Sequence, residues 1–313
     1  MITTTTDLPP AIQLSFNGKL LSVRQPNLIH NLFGMQTVKP RNSGDIHRFR
    51  RYAKLATAMV PLGNTGVTPP GQQLSAVNID ARVQFYGTWL EINEQVTLTS
   101  QDRPLNQAAN LLGIALRETE DELTRNMLMA TASFINATGG TNGDNPTEVT
   151  RADVDNVVRT LLSADAKTLA DDIEGADKFG TAPVRHAFMG MCSTELSGSL
   201  DGVNGFTHVS QYPSQMNIAR SEWGAIGNVR FFLSSKGAVR ANSSVLGANV
   251  YPIFITGMEA YGLVKQDGYT ANFIYRPSIY SGPMALNSTA AFKMAYASRI
   301  LNDAWILSLN VTL

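Results

Sequence analysis

Cys192 lies in the stretch that comes nearest to a nucleophile elbow, Gly190-Met-Cys192-Ser-Thr194, where a strand-like apolar run turns into a short helical one. Such a turn would hold a thiolate ready for acyl transfer. The second glycine of that motif is missing, and no histidine is placed by sequence to serve as its base. As the only cysteine, Cys192 excludes an intrachain disulfide and fits a reducing compartment, and its type suits a small buried apolar side chain. The histidines, His30, His47, His186 and His208, stand singly, without a partner at metal-ligand spacing. Asp171, Asp172, Glu174 and Asp177 form an acidic cluster near a turn, but their spacing matches no calcium loop, and a solvated loop is expected. Gly139, Gly140 and Gly143 follow a helical pattern instead of joining a strand to a helix, so they read as a stop and not as a phosphate cradle. The expectation is no catalytic residue, no cofactor and no metal.

Arg48, Arg50 and Arg51 are the remaining candidates for chemistry. On a strand, Arg48 and Arg50 share a face and Arg51 lies opposite, so they suit carboxylates across a subunit boundary at least as well as phosphate. The balance of 25 basic and 25 acidic residues argues against a surface built to grip nucleic acid, although a local basic strip is allowed. The first residues, MITTTTDLPPAIQLSF, lack the charge and apolar core of a signal peptide, and no run of eighteen apolar residues occurs, so neither export by that route nor a membrane span is expected. The Asn-x-Ser/Thr triplets at Asn136, Asn242, Asn287 and Asn310 are then accidents of composition.

The longest regular stretch that could position these residues covers 102–138 and reads as one helix, with Pro104 in its first turn and Gly139-Gly140 as its stop. Leu105, Ala108, Leu112, Ala115, Leu116, Leu123, Met127, Phe134 and Ile135 fall on one side, and Asp121 precedes Arg125 by one favourable turn. Its length would be roughly 50 Å. Before it, residues 46–60 and 76–90 read as two strands around a breaker-rich tip, PLGNTGVTPPGQQLS, and so as a hairpin that would reach roughly 50 Å. In the second strand Val77, Ile79, Ala81, Val83 and Phe85 alternate with Asn78, Asp80, Arg82 and Gln84, and the phase changes near Trp89, which is expected in the core. A lone hairpin is marginal in water, so its apolar face needs a cover.

Residues 1–45 show no sustained period and read as an arm that is ordered only by lying on something else. After the long helix, Thr150-Arg-Ala-Asp153 is a capping box, VRHAFMGMC a buried strand, Ser193 a cap for TELSGSL, and GNVRFFLS and ANVYPIFITG two further strands. ANFIYRPSIY, AFKMAYASRI and AWILSLNVT read as closing strands, the last two broken at Leu301-Asn302-Asp303. The fold class is α+β.

This order of parts, with RFRRYAKL, GVTPPGQQLS, VQFYGTWLEINEQVTLTSQD and AYASRILNDAWILSL, resembles the tailed-phage major capsid fold named after phage Hong Kong 97, and within it the N-four-like phage capsids. The resemblance implies an N-terminal arm (1–45), an extended hairpin overlapping the adjacent subunit (46–99), a peripheral domain with the spine helix (100–144 and 272–313) and an axial domain (145–271). It implies self-assembly as hexamers and pentamers into an icosahedral shell around double-stranded DNA, in a virion assembled in the bacterial cytoplasm. Separate scaffolding, portal and decoration proteins are the other partners it suggests, with packaged DNA held nonspecifically and no membrane. The inter-subunit contacts expected on this basis are Arg48, Arg50, Arg51, Thr68, Pro69, Pro70, Gln72, Asp80 and Arg82. The namesake's covalent crosslink starts from a lysine on the hairpin tip, and residues 61–75 contain none. An encapsulin-like compartment is the alternative that keeps the fold.

Overall fold

The computed structural model describes residues 26–57, 59, 71–99, 104–131, 133–169, 187–212, 221–244, 247–269, 271–278, 284 and 286–313. In chain order the elements are β1 (Met35–Lys39), β2 (Ile46–Tyr52), β3 (Ala76–Arg82), β4 (Gln84–Asn93), α1 (Glu94–Thr99), α2 (Pro104–Met129), β5 (Phe134–Asn136), α3 (Arg151–Ser163) and β6 (Phe188–Ser193). They continue with α4 (Ser197–Asp201), β7 (Phe206–His208), β8 (Glu222–Ile226), β9 (Val229–Ser234), β10 (Tyr251–Thr256), β11 (Tyr261–Gln266), β12 (Asn272–Arg276), β13 (Asn287–Ile300) and β14 (Ile306–Val311).

A seven-stranded sheet in the order β5-β14-β10-β6-β9-β8-β7 forms one half of the molecule. Every residue of β6, β9, β10 and β14 is buried, as their near-continuous apolar sequences require of strands covered on both faces. Alternate side chains divide between the faces. Phe188, Phe231, Ile253 and Leu309 join Val154, Val157 and Leu161 of α3, whereas Met189, Met191, Phe232 and Phe254 face Ile29, Leu128, Tyr261 and Tyr296. The capping box of α3 forms as the sequence predicts, with Thr150 and Asp153 exchanging hydrogen bonds. Ser193 likewise caps the turn that follows β6, accepting from the Glu195 N–H.

The second sheet is built on β13. β4 runs antiparallel along one edge of it, from Asn287↔Asn93 to Tyr296↔Gln84. β12 and β11 share the other edge in succession, and β1 lies parallel to β11. α2 covers one face through Leu112 and Leu116 against Ala290, Phe292 and Met294.

Several sequence expectations are corrected here. The hairpin strands span Ile46–Tyr52 and Ala76–Arg82, not 46–60 and 76–90, because residues 84–93 pair with β13 instead of with the first strand. The long helix ends at Met129, at about 39 Å, because Ala130 and Thr131 donate to the Met127 and Leu128 carbonyls and tighten the last turn. Phe134, Ile135 and Asn136 then leave helical geometry for a parallel ladder with β14. Gly139 and Gly140, both at positive φ, bend a loop whose Thr138 and Gly140 N–H groups donate to Asp153 Oδ1, and so do not stop the helix. Asp121 does not pair with Arg125; it faces inward to His30, and Arg125 donates to the Lys236 carbonyl instead. Trp89 is 64% exposed, not core, and the break between β3 and β4 falls at Val83.

Candidate functional site

β2 and β3 form an antiparallel ribbon in the register Ile46↔Arg82 to Tyr52↔Ala76. One face carries Arg48, Arg50, Asp80 and Arg82, because directly opposed residues point the same way. Arg48 forks onto Asp80, with Nε to Oδ1 at 2.7 Å and Nη2 to Oδ2 at 2.9 Å. That bond holds the Asp80 carboxyl below the usual carboxylate range and raises Arg48. Arg50 donates to Asn78 Oδ1 at 3.0 Å, and Arg82 to Asp45 Oδ2 at 2.8 Å. The carboxylate facing Arg48 thus belongs to its own chain.

The opposite face anchors the ribbon. Ala81, Phe49 and Val83 pack on Val264 and Ala297, and Gly262 leaves room for the Phe49 ring, which lies 2.9 Å from where a Cβ would stand. Arg51 is on this face, as its spacing predicts, beyond the anchor and exposed. Further out, Gln72 Nε2 donates to the Ala56 carbonyl at 2.8 Å, and Lys54 reaches Asp165 at 3.3 Å. Leu55, Met59 and Leu74 project into solvent there. Thr68, Pro69 and Pro70 lie outside the described residues, as do His186 and the acidic cluster at 171–177.

A second apolar surface is the face of the β4–β13–β12 sheet turned away from α2. Trp89, Ala291 and Ile274 form one row across it, and Phe85 and Ala295 another. Phe85 is 61% exposed, its ring edge-on to Tyr269 at 5.9 Å, and the Lys293 ammonium stands 5.0 Å from its centroid. A cleft of about 280 Å³ opens beside Phe85, lined by Val83, Tyr269, Arg41, Asp45 and Asp267. Sequence reasoning missed this surface. Its signal was present in Val83, Phe85 and Trp89, odd-numbered residues opposite in phase to the inward set Tyr86, Leu90 and Ile92.

The groups with reactive side chains are occupied structurally. Cys192 is buried in β6, its thiol donating to the Phe232 carbonyl at 3.2 Å and raised in pKa by burial. His30 is buried against Asp121, His47 lies edge-on to Phe49, and His208 caps a turn beside Trp223. Among the described residues, no three of His, Cys, Asp or Glu gather as a metal site would need.

No family model and no curated protein matches this chain. Solved structures do. The capsid of Ralstonia phage GP4 matches with a TM-score of 0.70 at 11% identity, over 100% of this chain and 98% of that one. The capsid of cyanophage Pam1 gives 0.65 at 14% identity over 97% and 98%, and the head of Helicobacter pylori bacteriophage KHP40 gives 0.65 at 10% over 100% and 97%. The chain has the Hong Kong 97-like phage capsid fold, an α+β architecture, and at such identities the likeness is one of fold.

Proposed function

We propose that this chain is the major capsid protein of a tailed bacteriophage, assembling with copies of itself as hexamers and pentamers into an icosahedral shell around double-stranded DNA. The observation that carries the reading is the match to phage capsids, over 100% of this chain and 97–98% of theirs: a chain that shares the fold of a shell subunit along its length suits the same task. Two features of the chain support it. A ribbon joined to the body by a small apolar anchor presents Leu55, Met59 and Leu74 to solvent, and a sheet face presents Phe85, Trp89 and Ile274. Exposed apolar surfaces of different shape on one chain suit heterologous contacts that close into rings.

In this reading the ribbon of one copy lies over the sheet of the next, with Arg48, Arg50, Arg51, Gln72, Asp80 and Arg82 at the contact. Residues 1–45 act as the arm, 100–144 with 272–313 as the peripheral domain, and 145–271 as the axial domain. The protein is structural and not catalytic, and it resides in the virion. Scaffolding, portal and decoration proteins are separate chains.

Light scattering and negative-stain electron microscopy of the purified protein test this directly. Hollow particles of megadalton mass are expected, and DNA within particles from infected cells separates a virion from a compartment filled with protein. A monomer that stays monomeric at high concentration, with and without a co-expressed scaffolding protein, would sink the proposal.

A further inference from the structure

The ammonium of Lys39 is buried without a counter-charge. Lys39 closes β1, is 2% exposed, and donates through Nζ to the Gly44 carbonyl. Among the described residues no carboxylate stands within ion-pair distance of it, and it makes no second hydrogen bond. Lysine is almost never fully buried unless paired, because an ammonium taken out of water needs an opposite charge to offset the loss. Two carboxylates line the same cleft, but both are committed elsewhere: Asp45 to Arg82 at 2.8 Å and Asp267 to Arg41 at 3.5 Å. Two arginines answer two aspartates, and the charge of Lys39 is left over. Thr37, on the same face of β1, adds a buried hydroxyl that has no hydrogen-bond partner.

Lys39 and Gly44 belong to the cleft of about 280 Å³ that opens beside Phe85. Backbone hydrogen bonds hold its walls. Asp267 N–H donates to the Lys39 carbonyl at 2.9 Å, Tyr269 N–H to the Gln266 carbonyl at 3.0 Å, and Val83 N–H to the Asp45 carbonyl at 2.9 Å. The cleft is therefore formed before anything enters it. Val83, Phe85 and Tyr269 give it an apolar lining, and Lys39 gives it one unanswered charge. A compact dianion such as phosphate would ask for more than one free cation and would meet Asp45 and Asp267. A single carboxylate on a short methylene stem matches one ammonium and an apolar wall.

We propose that this cleft binds a carboxylate, supplied by an aspartate or glutamate side chain of an adjacent copy of the chain. This rests on the shell reading above: Phe85 belongs both to the cleft and to the exposed rows of the β13 sheet that a second copy covers, so the entering side chain comes from that neighbour. The unassembled chain then carries a buried charge that only a neighbour satisfies. Such a contact contributes little to nonspecific association and much to the position in which two copies lock.

A high-resolution reconstruction of the assembled particle tests the occupant. A carboxylate of an adjacent copy within hydrogen-bond distance of Lys39 Nζ is expected. An empty cleft, an uncharged side chain or a free acid there would overturn the proposal and leave the shell reading standing. The unassembled chain tests the site by itself, with acetate as the probe. Thermal midpoints of the parent and of Lys39→Met are compared in sodium acetate and in sodium chloride, at equal ionic strength and neutral pH. Acetate is expected to raise the midpoint of the parent over its chloride value and to leave that of the variant unmoved. An equal response of the two chains would overturn the site whether or not particles form. Lys39→Met itself is expected to melt no lower than the parent, since it removes a lone buried charge and keeps the stem, and to assemble poorly. A variant that melts lower and assembles as the parent does would make Lys39 a tie to Gly44 and nothing more.

Discussion

Asp121 meets His30 twice, accepting from its backbone N–H on Oδ1 at 2.8 Å and facing its ring Nδ1 with Oδ2 at 2.7 Å, in a site that leaves both residues all but inaccessible to water. The segment around His30 is fixed on three elements through this contact and its neighbours. The Tyr261 hydroxyl of β11 donates to the His30 carbonyl at 2.6 Å, and Asn31 bonds Thr124 of α2 and Tyr296 of β13. Asp121→Ala would strand the His30 donors in an apolar interior, at a cost of about 3 kcal/mol. Denaturant unfolding of the variant, set against its unchanged denaturant slope, measures this. A loss well below 1 kcal/mol would show that water replaces the carboxylate.

Gly113 occupies the interior of α2, is exposed, and has no heavy atom within 4 Å of where a Cβ would stand. Glycine at such a position destabilises a helix by about 1 kcal/mol relative to alanine. Gly113→Ala is therefore expected to raise the stability of the unassembled chain by about that amount in thermal melts. If the same variant assembles poorly while melting higher, a neighbouring backbone approaches α2 at this point.

Asp80 shows what an exposed pair contributes. Its pKa lies below the ordinary 3.8, chiefly because it accepts from Arg48. A depressed carboxylate favours the folded chain above its ordinary value, and that contribution is lost as the pH falls through the lower folded value. In Arg48→Met, the Asp80 midpoint followed by carbon-13 NMR should move up toward 3.8. An unmoved midpoint would mean that the crossed fork between the strands does not persist in solution.

The pairing of residues 46–52 with 76–82, the facing arginines, the capping box, the buried strands and the closing strands were legible because each rests on local chemistry: alternation, a turn, a cap or an apolar run. The expected length of the hairpin was not, since residues 84–93 pair with β13 instead. What was not legible depends on partners distant in sequence. Ile135 suits a helix face as well as a strand, and only the β14 ladder decides between them. Asp121 sits one turn before Arg125, yet a residue in the arm segment takes it. Trp89 suited the core by type, but Ala291 and Ile274 beside it make a surface and not a cavity.

Replacing residues 62–74 by a two-residue turn removes the distal hairpin while leaving its anchor, Phe49 and Ala81 against Val264 and Ala297, in place. The expected product is a folded monomer with a parental melt and no particles in the electron microscope. Normal particles from this chain would show that the hairpin is not needed to hold neighbours together.

Trp89 carries its own reporter. Of the three tryptophans, Trp223 and Trp305 are partly buried, each donating through its indole N–H, to Asp201 Oδ1 at 2.8 Å and to the Ala164 carbonyl at 3.1 Å. Trp89 is the exposed one, standing on the open face of the β13 sheet. If that face is covered by a second copy, assembly transfers one indole from water into an apolar contact, and the emission shifts to the blue in step with scattered light. Trp89→Phe should abolish most of the shift and still assemble, because a ring of similar character keeps the contact. Trp89→Glu places a charge on the same face, and it should leave the monomer melt unchanged while blocking assembly, since an unpaired carboxylate resists the desolvation that contact requires. A blue shift that survives in Trp89→Phe would place the covered tryptophan elsewhere, and with it the interface.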